Sequence, residues 1–300
     1  METVSLSGPG QYSLSLAVFE AADAKAVIQV IHGMEEHKER YYDFAAFLAE
    51  NGFNVVISDL RGHGSDAPVL SHIADEHGDD LLIQDQQVIT GYIGSRFPGL
   101  PILIFAHSMG TIIARVLLQT DSGRYAAAAL SGYVNPNPAS PVAVALGNST
   151  KLLKGSKGHS SLLTKLALGA YATSIENRKT NLDWLSYDTE NVRKYIEDPL
   201  CGVEFSIGSY CALFNLLNRM GKTKEYRKVR AEMPILLIAG RDDPCTGGDK
   251  GRADSRSSLS SAGFNKVSVI TYDHMRHEIL NEKDHRVYED LLDFFKKTVQ

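Results

Sequence analysis

The chain has 300 residues, of which 43% are hydrophobic and 22% charged, and a formal net charge of −5. That length suits one large α/β domain or two small ones and buries a sizeable core unaided. The acid excess speaks against nucleic acid as a partner and leaves no polybasic membrane patch.

Three widely spaced cysteines, Cys201, Cys211 and Cys245, cannot build a disulfide framework, so a cytoplasmic setting is expected. No early apolar run reads as a signal peptide. No stretch approaches the roughly 18 consecutive apolar residues of a membrane span.

Gln11 to Ala21 alternates apolar and polar residues, as a half-exposed strand does. Ala26 to Ile31 is a continuous β-branched run, the mark of a buried parallel strand. Helical spacing over Tyr41 to Glu50 ends at Gly52, and Asn54 to Leu60 is the next strand. Leu81 to Phe97 is a helix closed by Pro98-Gly99-Leu100-Pro101. A strand from Pro101 to Phe105 and a helix from Thr111 to Gln119 follow, then a strand at Ala126 to Ser131. Strands at Pro234 to Ala239 and Val267 to Tyr272 and an amphipathic helix at Asp284 to Lys297 complete the pattern. Strands alternating with helices imply a mostly parallel sheet with helices on both faces.

One segment interrupts this alternation. Residues 134–205 contain no convincing strand, with short helices and loops expected from Leu152 to Leu168 and a helix at Asn191 to Asp198. Its position predicts a cap over the carboxyl ends of the strands, where open α/β sheets bind ligands. The expected organisation is a core of residues 1–133 and 206–300 with a cap of 134–205.

Between the strand ending at Phe105 and the helix starting at Thr111 lies Ala106-His107-Ser108-Met109-Gly110. A serine between strand and helix, with small residues two before and two after, is the pattern of a nucleophile elbow. Alanine stands at 106, where that motif normally has glycine.

Serine needs a base, and the base needs a carboxylate to fix its tautomer. Both follow in the order serine, acid, histidine. Asp242 and Asp243 come after the strand ending at Ala239, and His274 and His277 after the strand ending at Tyr272. Pro244 stiffens the loop behind Asp243 and favours it over Asp242. His277, further beyond the loop, reaches back more naturally than His274.

The N–H groups of Met109, next to the nucleophile, and of Met34, after His32-Gly33, are the expected oxyanion donors. Asp59 to Gly64 is expected to hold a loop together, and His63 lacks the second ligand that a metal site needs. Trp184 is expected in the cap core, and a structural role is the default for the Cys245 thiol.

With these motifs in order, the chain resembles the monoacylglycerol lipase and lysophospholipase group of α/β-hydrolases over nearly its whole length. The resemblance rests on His32-Gly33-Met34-Glu35-Glu36-His37-Lys38-Glu39-Arg40-Tyr41, Ser58 to Ser65, the elbow ending His107-Ser108-Met109-Gly110, Asp198 to Gly202, and Met275 to Glu282. It implies Ser108, Asp243 and His277 as the catalytic triad and Met34 and Met109 as oxyanion donors. It also implies that Glu36 and Arg40 stand near the alcohol end of the substrate pocket.

The expected activity is serine-dependent hydrolysis of lipid-like carboxylic monoesters of the monoacylglycerol or lysophospholipid type, without metal or organic cofactor. Transient membrane contact through the cap is expected; nothing in the chain sets an oligomeric state. Peptidases, thioesterases and acyltransferases share the fold and triad, and a non-catalytic receptor is a further alternative.

Overall fold

The computed structural model describes residues 1–299. In chain order the first elements are β1 (Glu2–Ser7), β2 (Ser13–Phe19), β3 (Ala26–Ile31), α1 (Tyr42–Glu50), β4 (Phe53–Ser58), α2 (Gly78–Arg96), β5 (Ile102–His107), α3 (Met109–Asp121) and β6 (Ala127–Ser131). There follow α4 (Ser140–Lys154), α5 (Ser161–Thr173), α6 (Thr189–Glu197), α7 (Ile207–Met220), β7 (Ile235–Gly240), α8 (Gly248–Ser261), β8 (Val267–Tyr272) and α9 (Arg286–Thr298).

The strands form one sheet in the order β1-β2-β4-β3-β5-β6-β7-β8. Only β2 runs against its neighbours, pairing antiparallel with β1 and β4. The pairings from β4 to β8 are parallel.

Strand period decides which helix each residue meets. Leu103 and Phe105 point into a cluster with Phe44 and Leu48 of α1 and Leu291 and Phe295 of α9. Ile104 and Ala106 point the other way, onto Ile112 and Val116 of α3 and Leu213 and Leu216 of α7. Burial on both faces explains why the central strands are continuous apolar runs.

Several elements escape pattern reading. β1 is a half-exposed edge strand whose order comes from its ladder with β2. α8 is Gly- and Ser-rich, a poor helix former, and is held by burying Arg252, Ser255 and Leu259. α7 is almost wholly buried and shows no polar face to mark it. Residues 134–205 lie between β6 and α7 and carry α4, α5 and α6. Two of these helices are long: α4 has 15 residues, and α5, which begins inside the Leu152 to Leu168 stretch where short helices and loops were expected, has 13. α4 packs closely against Cys211 and Phe214 of α7 at Gly147.

Candidate active site

β5 ends at His107 and α3 begins at Met109, leaving Ser108 alone in the turn at φ 50 and ψ −120. Positive φ in a non-glycine residue is strained and persists only where its surroundings hold it. Here the Ser108 N–H donates to the Ser131 carbonyl of β6 at 3.0 Å. The turn also brings α3 hard against β3. A Cβ on Gly110 would lie 2.2 Å from the Ile31 carbonyl oxygen, so only glycine fits there. Ala106 is fully buried, with its methyl packed into the core on the α3 side of the sheet.

The ends of β7 and β8 bring Asp243 and His277 together. His277 Nδ1 lies 3.0 and 3.1 Å from the Asp243 carboxylate oxygens, and both side chains are buried. An ionised carboxylate only accepts, so Nδ1 carries the proton and Nε2 of the neutral ring is a free base. Asp243 Oδ1 also accepts the Cys245 N–H at 2.9 Å, which fixes the carboxylate.

Asp242 is exposed and accepts from the Tyr187 hydroxyl, and His274 is exposed. Ser108 and His277 line one cavity, and Ser108 Oγ makes no hydrogen bond to His277 among the described residues. In ligand-free sites such contacts are often long and tighten on binding.

The His277 environment is mixed. Burial lowers its affinity for a proton, while the Asp243 carboxylate and the Cys245 thiol raise it; the net shift is upward from the ordinary 6.5. Trp184 and His107 flank the ring, with centroids 4.9 and 4.7 Å away. Trp184 is therefore more than packing inside the inserted segment. Its neighbour lies 93 residues later, and no local pattern signals the contact. Burial pushes the Cys245 thiol up to about 11, so it carries no thiolate at neutral pH.

The loop after β3 is held from several sides. A Cβ on Gly33 would come within 3.0 Å of Ser108 Cβ, so a bare backbone is needed for this approach. The Gly33 N–H donates to Glu36 Oε1 at 2.5 Å, and the Tyr41 hydroxyl donates to the same oxygen. Met34 and Met109 line the cavity, and neither N–H has a backbone or side-chain acceptor among the described residues.

The loop after β4 braces this one. Lys38 donates to Asp59 from both backbone and side chain, and Arg61 forks onto Asp85 at 2.6 and 2.9 Å. His32 accepts the Leu60 N–H, and His63 accepts the Glu35 N–H. Burial holds both rings near 3, hence neutral. Both His63 nitrogens are occupied, since Nδ1 donates to the Arg61 carbonyl.

Arg40 stands behind the wall of the serine cavity, and its two carboxylate partners, Glu36 and Glu278, line that wall. Its guanidinium forks onto Glu278 at 2.6 and 2.7 Å, reaches Glu36 at 2.9 Å, and touches Asn191 of α6. Four hydrogen bonds from its two terminal nitrogens tie the β3 loop to Glu278, the residue after His277, and to α6. Burial raises Glu278, yet Arg40 and Asn191 outweigh it and hold the carboxyl well down. For Glu36 burial wins and the carboxyl is raised. Glu278 was invisible as a partner because 238 residues separate it from Arg40.

Ser108, His277, Met34 and Met109 open on a cavity of about 1130 Å³. Ile112, Val134, Leu146, Leu213, Phe214 and Leu217 give it a long apolar wall. Two side-chain groups have metal-ligand character: Asp243, Cys245 and His277, and His37, Asp198 and Cys201, each with ligand atoms within 4.8 Å of one another. In both, the histidine is already hydrogen-bonded to the aspartate.

A mostly parallel sheet in this order, with a strained serine between strand and helix, defines the α/β-hydrolase fold. The chain belongs to the family described as "Serine aminopeptidase, S33", whose model matches residues 22–284. It is similar to a monoacylglycerol lipase of Mycolicibacterium smegmatis, at 27% identity over 89% of this chain and 86% of that protein. It is also similar to the monoglyceride lipase of Homo sapiens, at 28% identity over 79% of this chain and 72% of that one. Among solved structures, a thermostable carboxyl esterase from Bacillus coagulans superposes with a TM-score of 0.91 at 24% identity, over 100% of this chain and 99% of that one.

Proposed function

We propose that this protein is a serine carboxylic-ester hydrolase acting on lipid-like monoesters of the monoacylglycerol type. The observation that carries this is the strained Ser108 sharing an apolar-walled cavity with His277, whose ring is hydrogen-bonded to the buried Asp243. His277 Nε2 takes the Ser108 proton as Oγ attacks the ester carbonyl. The Met34 and Met109 N–H groups stabilise the tetrahedral oxyanion, each contributing about 3 kcal/mol. The alcohol leaves with the proton from His277, and water then hydrolyses the acyl-enzyme through the same groups, releasing the acid.

Residues 134–205 act as the cap over this site, and α4 and α5 contribute to the cavity wall. Val142, Leu152, Leu153, Leu162 and Leu166 are exposed on these two helices, which supports transient contact with a lipid surface. No helix among the described residues is long and apolar enough to cross a membrane. Three free, buried cysteines support a reducing, cytoplasmic compartment.

A chain-length series of monoacylglycerols set against simple esters and aminoacyl amides tests the assignment. Turnover is expected to rise with acyl length and to be negligible on amides. Flat activity across lengths removes the lipase assignment, and preference for amides replaces it with a peptidase.

The pH profile is a second check. The base works only when neutral, so kcat/KM rises as His277 loses its proton. Because its net shift is upward, the acid limb is expected above pH 6.5. Asp243→Asn should move the limb down. A limb at or below the ordinary histidine value, unmoved by that substitution, argues against His277 as the base.

A further inference from the structure

Glu35 follows the Met34 oxyanion donor and has no part in the mechanism above. It holds φ 58, a left-handed conformation that a glutamate adopts only under constraint. Three hydrogen bonds impose it: its N–H donates to His63 at 3.2 Å, and its carbonyl accepts from Gly202 N–H at 2.9 Å and the Tyr195 hydroxyl at 2.7 Å. Backbone strain held this firmly places a side chain. Here the side chain is a carboxyl in the wall of the serine cavity.

Its one recorded protein donor is the Phe205 N–H at 3.3 Å, and no lysine or arginine among the described residues forms an ion pair with it. The charge that bears on it is another carboxylate, Glu204, also in the cavity wall.

We propose that Glu35 sets the charge selectivity of the cavity, turning away esters that carry a negative charge and leaving neutral monoesters as substrates. This rests on the ester-hydrolase assignment and deepens it, because it separates neutral monoacylglycerols from lysophospholipids with an anionic head group. Discrimination of this kind is repulsive rather than attractive. An unpaired carboxylate in a partly dehydrated wall acts on an anion through a medium that screens far less than water.

The effect depends on pH. Burial pushes the Glu35 carboxyl up to about 7, assisted by Glu204. The cavity wall also carries Glu36, Glu278, Lys165, Arg178 and Lys250, none of them ion-paired with Glu35. His63 is held near 3, and burial pushes the Tyr195 and Tyr210 hydroxyls upward. Rising pH therefore ionises Glu35 and switches the repulsion on.

The test compares p-nitrophenyl butyrate with p-nitrophenyl hydrogen glutarate, and 1-butyrylglycerol with its 3-sulfate, between pH 6 and pH 8, where each anion keeps one charge. Titration of His277 cancels in each ratio. The neutral-over-anionic ratio of kcat/KM is expected to rise about tenfold with pH in the wild type, the size expected of unit charges about 10 Å apart at an effective dielectric near 20. Glu35→Gln should flatten it, while Glu204→Gln leaves most of the rise. Glu35→Gly provides a second variant that suits the left-handed backbone, and it should flatten the ratio too.

A ratio that is constant in the wild type, or that rises equally in both Glu35 variants, overturns the proposal. Failure to hydrolyse any of the four esters would instead overturn the ester-hydrolase assignment on which it rests.

Discussion

Ser108→Ala is expected to reduce kcat/KM by about 10⁴- to 10⁶-fold and to abolish labelling by a fluorophosphonate probe, without loss of fold. Ala keeps the volume and backbone preference of serine and removes only Oγ. His277→Ala should cost a similar factor, and the double variant little more, because the two act as one unit.

A companion variant separates chemistry from stability. Ser108 stands at φ 50, so Ser108→Gly removes strain as well as the nucleophile. It should be inactive yet more stable than Ser108→Ala, by about 1 kcal/mol, the low end of what such a backbone conformation costs. Urea denaturation of both variants beside a p-nitrophenyl ester assay checks this. Serine-independent labelling, or near-wild-type turnover by Ser108→Ala, would dismiss Ser108 as the nucleophile.

The second large effect belongs to Arg40. Arg40→Met is expected to lower stability by about 3–5 kcal/mol, because Glu278 would be left as a buried, unpaired charge. Arg40→Met/Glu278→Leu should recover most of that loss, since it removes both charges. Glu36 does not spoil the rescue, because burial already raises its affinity for a proton.

The pH dependence has a definite sign. Glu278 is depressed when folded, so the stability from its pairing is present above its unfolded value near 4.5 and is lost as pH falls through the lower folded value. Urea midpoints of the single and double variants at neutral and acid pH decide the matter. Were Arg40 a contact for the substrate alcohol instead, Arg40→Met would raise KM and leave the midpoint in place.

These two residues also mark where sequence was sufficient and where it was not. Ser108, Gly110 and the strand and helix around them form a local unit, and steric demand within five residues is readable in five residues. The order of serine, acid and histidine was equally legible, because each follows the end of an apolar strand. Choosing Asp243 over Asp242, and His277 over His274, rested on loop stiffness and reach. In the fold Asp243 and His277 are buried and hydrogen-bonded to each other, while Asp242 and His274 are exposed.

By contrast, α7 carries no periodic polar face because it is buried nearly all round. α8 has helical order despite its composition because Leu259 and Ser255 are buried beneath it. Trp184 against His277, and Arg40 against Glu278, are pairings between distant stretches of chain that no local pattern encodes.

The sequence by itself therefore determined the α/β alternation, the strand–serine–helix turn and the order of the candidate serine, acid and histidine, since these depend on residue type and spacing along one strand end. Tertiary structure alone decided that Arg40 clamps Glu278 instead of facing the cavity, and that Glu35 does face it. Both outcomes depend on which partner lies across a fold-wide contact, and burial then fixes whether each charge is paired or left free to act on a ligand.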